Sequence, residues 1–181
     1  MQQYVDTMQV IKSYLAANEA KEIYGKKFSD FNKIKFFKKQ FNKINKLNLE
    51  ELTKLVDDKH RLKRFMGHKW FVEEVRLKYA GGWPRIGDLD KDWCQGSVVD
   101  VAKQVVINKD DQGESLKKIF EILPIIDDVL ELFPPVFVQG GEIRHEHNLL
   151  CLPFDADDGS HRCIAAVLSG KRKIKAYVGL M

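Results

Sequence analysis

The sequence has few of the residues that staple small proteins or anchor them in membranes. Its three cysteines, Cys94, Cys151 and Cys163, are odd in number and form no CxxC pair, which argues against a disulfide framework and favours a reducing compartment. No stretch reaches the roughly 18 apolar residues that a membrane-spanning helix needs. The first residues, MQQYVDTMQV, carry no basic segment before an apolar run. We therefore expect no secretory signal, no membrane contact and a cytoplasmic location.

The common catalytic motifs are also absent. The sequence contains no GxGxxG, GxxxxGK[ST], GxSxG or HExxH, and no nucleophile lies near an evident base. Histidines and carboxylates that are distant in the sequence could still meet in the fold, so enzymatic activity stays open. We assign no catalytic residue and no cofactor, and the sequence predicts a non-enzymatic protein.

One segment, RHEHNLLCLPFDADDGSHRC, is rich in metal-binding residue types. They are His145, His147, Cys151, His161 and Cys163. Strands that pair about a turn near Asp157 would place His147 on the order of 20 Å from His161, at ~3.3 Å per residue. Zinc-motif spacing is missing, and the acidic run resembles a hairpin turn more than a calcium loop. No metal site is predicted.

The composition is that of a globular protein. With 181 residues, 44% of them apolar and 31% charged, the chain can form one domain or two very small ones. Residues 1–80 hold 18 Lys and Arg against 10 Asp and Glu, whereas residues 81–181 hold 12 against 16, which together give the net charge of +4. We interpret 1–80 as a basic helical region and 81–181 as an acidic α+β region of one compact unit. The basic region fits phosphate binding, and attraction between the two regions is the alternative.

The first region predicts about four helices. The first runs from Tyr4 to about Tyr24, the second starts at Ser29 or Asp30, the third follows Asn48, and the fourth covers about His60 to Tyr79. The glycines and Trp83-Pro84 of AGGWPRIGD mark the boundary with the second region.

The second helix is the most informative local pattern. Apolar residues at helical spacing predict a buried stripe, formed by Phe31, Ile34, Phe37, Phe41 and Ile44. The opposite side predicts a nucleic-acid-binding face of Lys35, Phe36, Lys39, Lys43 and Lys46, which Arg61 and Arg64 could extend. A lysine-rich face that is merely solvated is the alternative. Lys171, Arg172, Lys173 and Lys175 form a second basic patch.

The second region predicts short strands and helices. Residues 97–108 fit a strand or a short helix. Ser115 is the predicted cap of a helix that runs to Phe133 and that Pro124 kinks or divides. Four apolar runs predict strands at 136–138, 148–152, 163–168 and 174–178. The predicted fold class is α+β, with about four N-terminal helices followed by a small antiparallel β-meander packed with one or two helices.

Two stretches resemble parts of PAS-type sensory domains. VRLKYAGGWPRIGDLDKDW is similar to the opening segment of one such group, and LLCLPFDADDGSHRCIAAVL is similar to its closing hairpin. The resemblance covers residues 70–180 and implies signal sensing or protein association, with no catalytic residues.

Three functional hypotheses follow. The first is a non-enzymatic protein that binds nucleic acid or another acidic surface through the basic helical face, with the second region mediating partner contact or homo-oligomerisation. The second is a PAS-like sensory or interaction module. The third is an adaptor or inhibitor that acts through protein contacts alone.

Overall fold

A mixed six-stranded β-sheet lies at the centre of the protein, within the residues that the computed structural model describes, 3–26, 28–110 and 113–181. Its strands are β1 Gln3–Val5, β2 Lys69–Arg76, β3 Ala80–Gly81, β4 Val136–Gln139, β5 Phe154–Asp158 and β6 Lys173–Leu180. Their order is β1-β2-β6-β4-β5-β3. β4 pairs in parallel with β6, and β3 pairs in parallel with β5, while the other neighbours are antiparallel. The predicted mixture of helices and strands is confirmed, but the sheet is mixed and is not the antiparallel meander that the α+β prediction included.

Helices cover both faces of the sheet. They are α1 Thr7–Ala20, α2 Asp30–Asn45, α3 Leu49–Leu55, α4 Lys59–Gly67, α5 Val98–Ile107, α6 Glu114–Ile122, α7 Ile126–Leu132 and α8 Ser160–Leu168. On one face, α1 to α4 bury a core with Trp70 of β2 and Val138 of β4. On the other face, α5, α6 and α8 bury a core with Phe137 of β4 and Ala176 of β6.

Local capping fixes several helix starts where the sequence predicts them. The Ser29 hydroxyl accepts a hydrogen bond from the Asn32 N–H at the start of α2. Asn48 and Glu51 form a reciprocal capping box on α3, and Ser97 does so with Asp100 on α5. These caps satisfy N–H groups that have no partner within the helix. Of the two alternatives for residues 97–108, the helix is correct: α5 covers Val98–Ile107, with Ser97 as its N-cap.

The fourth predicted helix ends early. α4 stops at Gly67, and β2 follows as a long inner strand that pairs over eight residues with β6. Trp70 is buried on one side of β2 and Val75 on the other. The mixed aromatic and β-branched residues of this segment fit a strand once both faces are covered. The first helix is also shorter than predicted, because residues 3–5 form β1.

The C-terminal assignments are partly wrong. Strands at 136–138 and 174–178 are confirmed, but residues 163–168 belong to α8 and residues 148–152 form no strand. The acidic run predicted as a turn is β5, and it is followed by a helix in place of the predicted strand. In α8, residues 162–166 are all buried. When a short run is apolar at every position, its hydrophobic periodicity cannot distinguish a helix from a strand.

The predicted break at Pro124 is present. α6 and α7 are joined by a short 3-10 turn at Leu123–Ile125. The α6 N-terminus is not capped by Ser115, however. The Asp88 carboxylate accepts hydrogen bonds from the Glu114 and Ser115 N–H groups at 2.7 and 2.8 Å, so a distant loop supplies the cap.

Candidate nucleic-acid interface

The helix α2 has one buried and one cationic face. Phe37 and Ile44 are buried, and Ile34 and Phe41 are half-buried against the same core. Lys35, Lys38, Lys39, Lys43 and Lys46 are exposed. At ~100° per residue, the centres of the two groups lie on opposite sides of the helix. Packing of the apolar face thus fixes the direction in which the ammonium groups point.

These lysines line a shallow groove of about 710 Å³. Its lining consists of Lys35, Lys38, Lys39, Asn42, Lys43, Lys46 and Leu47. Lys43 forms an ion pair with Glu19 of α1 at 3.0 Å. Within the described ranges, the other four lysines have no carboxylate within ion-pair distance, so their charges are available to an external anion.

Two phenylalanines of α2 differ from the sequence prediction. Phe31, predicted to be buried, is 75% exposed, whereas Phe36, predicted on the binding face, is half-buried against the core. On a helical wheel Phe31 lies about 100° from the centre of the buried stripe and nearer to the lysines. The three-and-four spacing predicts the opposite side, which is wrong. The wheel places Phe31 beside the lysines, but it does not account for the burial of Phe36, which lies about 120° from the same centre.

Arg61 and Arg64 lie apart from this groove and point into the protein. Both belong to α4 and contact the buried Asp157 of β5. Arg61 Nη1 also donates to the Tyr14 hydroxyl at 3.0 Å, and its guanidinium lies 5.1 Å from the Trp83 ring centroid. Because both guanidinium groups pair with Asp157, these arginines do not extend the α2 groove.

A second polar cluster adjoins Asp157. Arg162 pairs with Asp158, and burial would raise the pKa of Asp158, but Arg162, Lys21 and Arg61 hold it below its usual range. Burial, assisted by Lys21 and Lys118, lowers the pKa of His161 to about 4. Among the described residues, His161 Nε2 and Arg162 Nε are buried without a hydrogen-bond partner. The cluster lies at the start of α8 and is influenced by the charges of Lys118 of α6 and of Lys21, which follows α1.

The cysteines, which are candidate metal ligands by residue type, lie in different environments in the fold. Cys94 and Cys163 are buried and Cys151 is exposed. The part of the chain that the structure describes holds no group of three or more His, Cys, Asp or Glu side chains able to bind a metal ion. Over the same residues, no helix has both the length and the hydropathy to cross a membrane.

Comparison with protein-family models, curated proteins and solved structures finds no match to this chain. The residues and their geometry therefore carry the functional argument.

Proposed function

We propose that this chain is a non-enzymatic protein that binds single-stranded nucleic acid through the exposed face of α2. The observation that carries the proposal is the placement of five lysines and the exposed Phe31 on one side of a helix whose other side is fixed in the core. Lysine ammonium groups neutralise phosphates, and an aromatic ring stacks on an unpaired base. Both chemistries favour a single strand whose bases are accessible.

The shape of the face supports the same ligand. The 16 residues of α2 span about 24 Å at 1.5 Å per residue. An extended strand laid along this length presents several successive phosphates. Because α2 is already helical and one of its faces packs in the core, binding would restrict little further backbone freedom.

The test is the salt dependence of binding to a fluorescent oligouridine. The variant carries Lys35, Lys38, Lys39 and Lys46 replaced by Gln, and the control carries Lys54, Lys59, Lys103 and Lys109 replaced by Gln. All eight lysines are exposed, and both variants change the net charge from +4 to 0. Each lost phosphate contact lowers the slope of log K against log salt by about 0.7. We expect the slope to fall by up to roughly 3 in the variant and to change little in the control.

Equal losses in both variants would show a non-specific charge effect and overturn the proposal. An acidic protein surface is the competing ligand for the same lysines. If a polyglutamate peptide binds and oligouridine does not, the nucleic-acid proposal is wrong. Unfolding curves of both variants verify that the substitutions leave the fold intact.

A further inference from the structure

A second concentration of positive charge lies at the end of the β2–β6 ladder. A cavity of about 870 Å³ opens there. Its lining residues are Arg76, Lys78, Val99, Val167, Gly170, Lys171, Arg172 and Lys173. Five of these eight residues are cationic and none is acidic. We call this cavity the basic cup.

The fold brings the cup together from distant parts of the sequence. Arg76 of β2 pairs in register with Lys173 of β6, and the Leu77 N–H donates to the Arg172 carbonyl oxygen at 3.0 Å. Gly170, at φ +88°, ends α8 in the left-handed conformation that turns the chain back into β6. The sequence shows the basic patch at 171–175. Arg76 and Lys78 lie beside this patch only because Arg76 ends β2, which pairs with β6, and Lys78 follows directly after it.

The cup keeps a net positive charge after its local pairs are counted. Lys171 pairs with Asp127, and Lys173 pairs with Glu74 at 2.8 Å. Five cations and two acids leave a local charge of +3. Hydrogen bonding from Lys78, together with the charge of Arg76, lowers the pKa of the neighbouring Tyr79 hydroxyl. Converging like charges repel one another, and a bound polyanion would relieve that repulsion.

We propose that the basic cup binds a small organic polyphosphate. Its volume falls in the range of small-ligand pockets, and its guanidinium and ammonium groups match phosphate oxygens. Val99 and Val167 supply an apolar wall for the organic part of the ligand. The linear groove of α2 comes from one continuous segment, whereas the cup converges from three segments, 76–78, 99 and 167–173, so the two sites are independent.

The first experiment measures binding of inorganic tripolyphosphate and of ATP by calorimetry at low salt. We expect saturable binding of both with one site per chain, and tighter binding of ATP because of the valine wall. The double variant R76Q/R172Q should weaken both by at least tenfold, since both side chains are exposed and their loss leaves the core intact. The matched control K54Q/K109Q and the α2 variant should bind as the wild type does. Absence of saturable binding, or equal affinity in R76Q/R172Q, would overturn the proposal.

A second measurement uses the unaltered protein. In methyl NMR spectra, tripolyphosphate should shift the Val99 and Val167 signals, while Val56, which belongs to the core of the opposite sheet face, should stay unchanged. Shifts confined to residues of the α2 groove would show that the ligand occupies the other basic surface and would refute the site.

Discussion

Arg61 and Asp157 form an ion pair inside the protein: Arg61 Nε donates to Asp157 Oδ1 at 3.0 Å, and Arg61 Nη2 donates to the Asp157 carbonyl oxygen at 2.8 Å. Arg64 Nη2 donates to the same carboxylate at 2.8 Å. The Asp157 side chain is fully buried. The pair therefore joins α4 to the central sheet across 96 residues of sequence.

Replacing Asp157 by Asn should destabilise the fold strongly. The amide keeps the volume of the side chain but leaves two guanidiniums without their counter-charge, and breaking a buried pair costs about 3–5 kcal/mol. Urea unfolding measures the loss. The matched control, Glu50→Gln, breaks the exposed Lys54–Glu50 pair and should cost less than about 1 kcal/mol. Similar losses in the two variants would contradict the role of Asp157.

His161 should make the protein less stable as the pH falls from about 6.5 to 4. Its pKa is lowered to about 4 by burial and by Lys21 and Lys118. Between these pH values His161 is protonated in the unfolded chain but neutral in the folded protein. The free energy of unfolding therefore decreases as the pH falls. The largest possible loss is roughly 3 kcal/mol. Denaturation at pH 7 and pH 5 should show a smaller difference in H161Q than in the wild type, whereas H60Q, at an exposed position, should keep the wild-type difference.

Asp88 should stabilise the protein at neutral pH and lose this effect as the pH falls. Hydrogen bonds from Ser115 and Glu114 lower its pKa to about 2. The stabilisation is complete above about pH 4 and disappears as the pH falls toward 2. Asp88 is exposed and caps the N-terminus of α6. Its replacement in D88A should therefore lower the free energy of unfolding by about 1 kcal/mol at pH 7. Melting curves of D88A and wild type should converge at pH 2, and a gap that persists there would refute the cap.

Phe31→Ala should reduce oligouridine affinity without lowering the melting temperature. The ring is 75% exposed, so its removal costs little core packing. Loss of one base stack corresponds to about 1–3 kcal/mol, or roughly a 5- to 150-fold weaker Kd. Val106→Ala removes a similarly exposed apolar side chain from α5 and serves as the control. Equal affinity in F31A and wild type would exclude stacking at this position.

Gly81→Ala should destabilise the protein through a clash with Arg144. A Cβ at Gly81 would overlap Arg144 Cδ. Arg144 is fully buried and donates to the carbonyl oxygens of Gly82, Cys94 and Leu150, among others. Since this side chain has no free space, overpacking should cost about 1–3 kcal/mol. Gly67→Ala, with no atom within 4 Å of the added Cβ, should leave the melting temperature equal or higher.

The helix α2 shows which structural features the local sequence can predict. Its start at Ser29, its buried Phe37 and Ile44 and its exposed lysines all follow from the 3.6-residue period and from capping. The misassigned Phe31 lies about 100° from the centre of the stripe, on the side of the lysines, although the three-and-four spacing includes it in the stripe. By contrast, the sequence predicts β2 as part of a helix and most of α8 as a strand, and both predictions are wrong. Residues 70–75 mix apolar side chains with two glutamates, and residues 163–166 are a short apolar run, so neither segment has a decisive period.

The sequence by itself determined the elements whose stabilising contacts are local: the capped helices α2 and α3, the break at Pro124, and the separation of apolar and cationic sides on α2. Only the tertiary structure decided that Arg61 and Arg64 serve Asp157, that Asp88 caps α6, and that Arg76 faces Lys173 across the ladder. The physical reason is that burial and charge pairing depend on partners tens of residues away, whose position is fixed by strand order and by packing on both faces of the sheet.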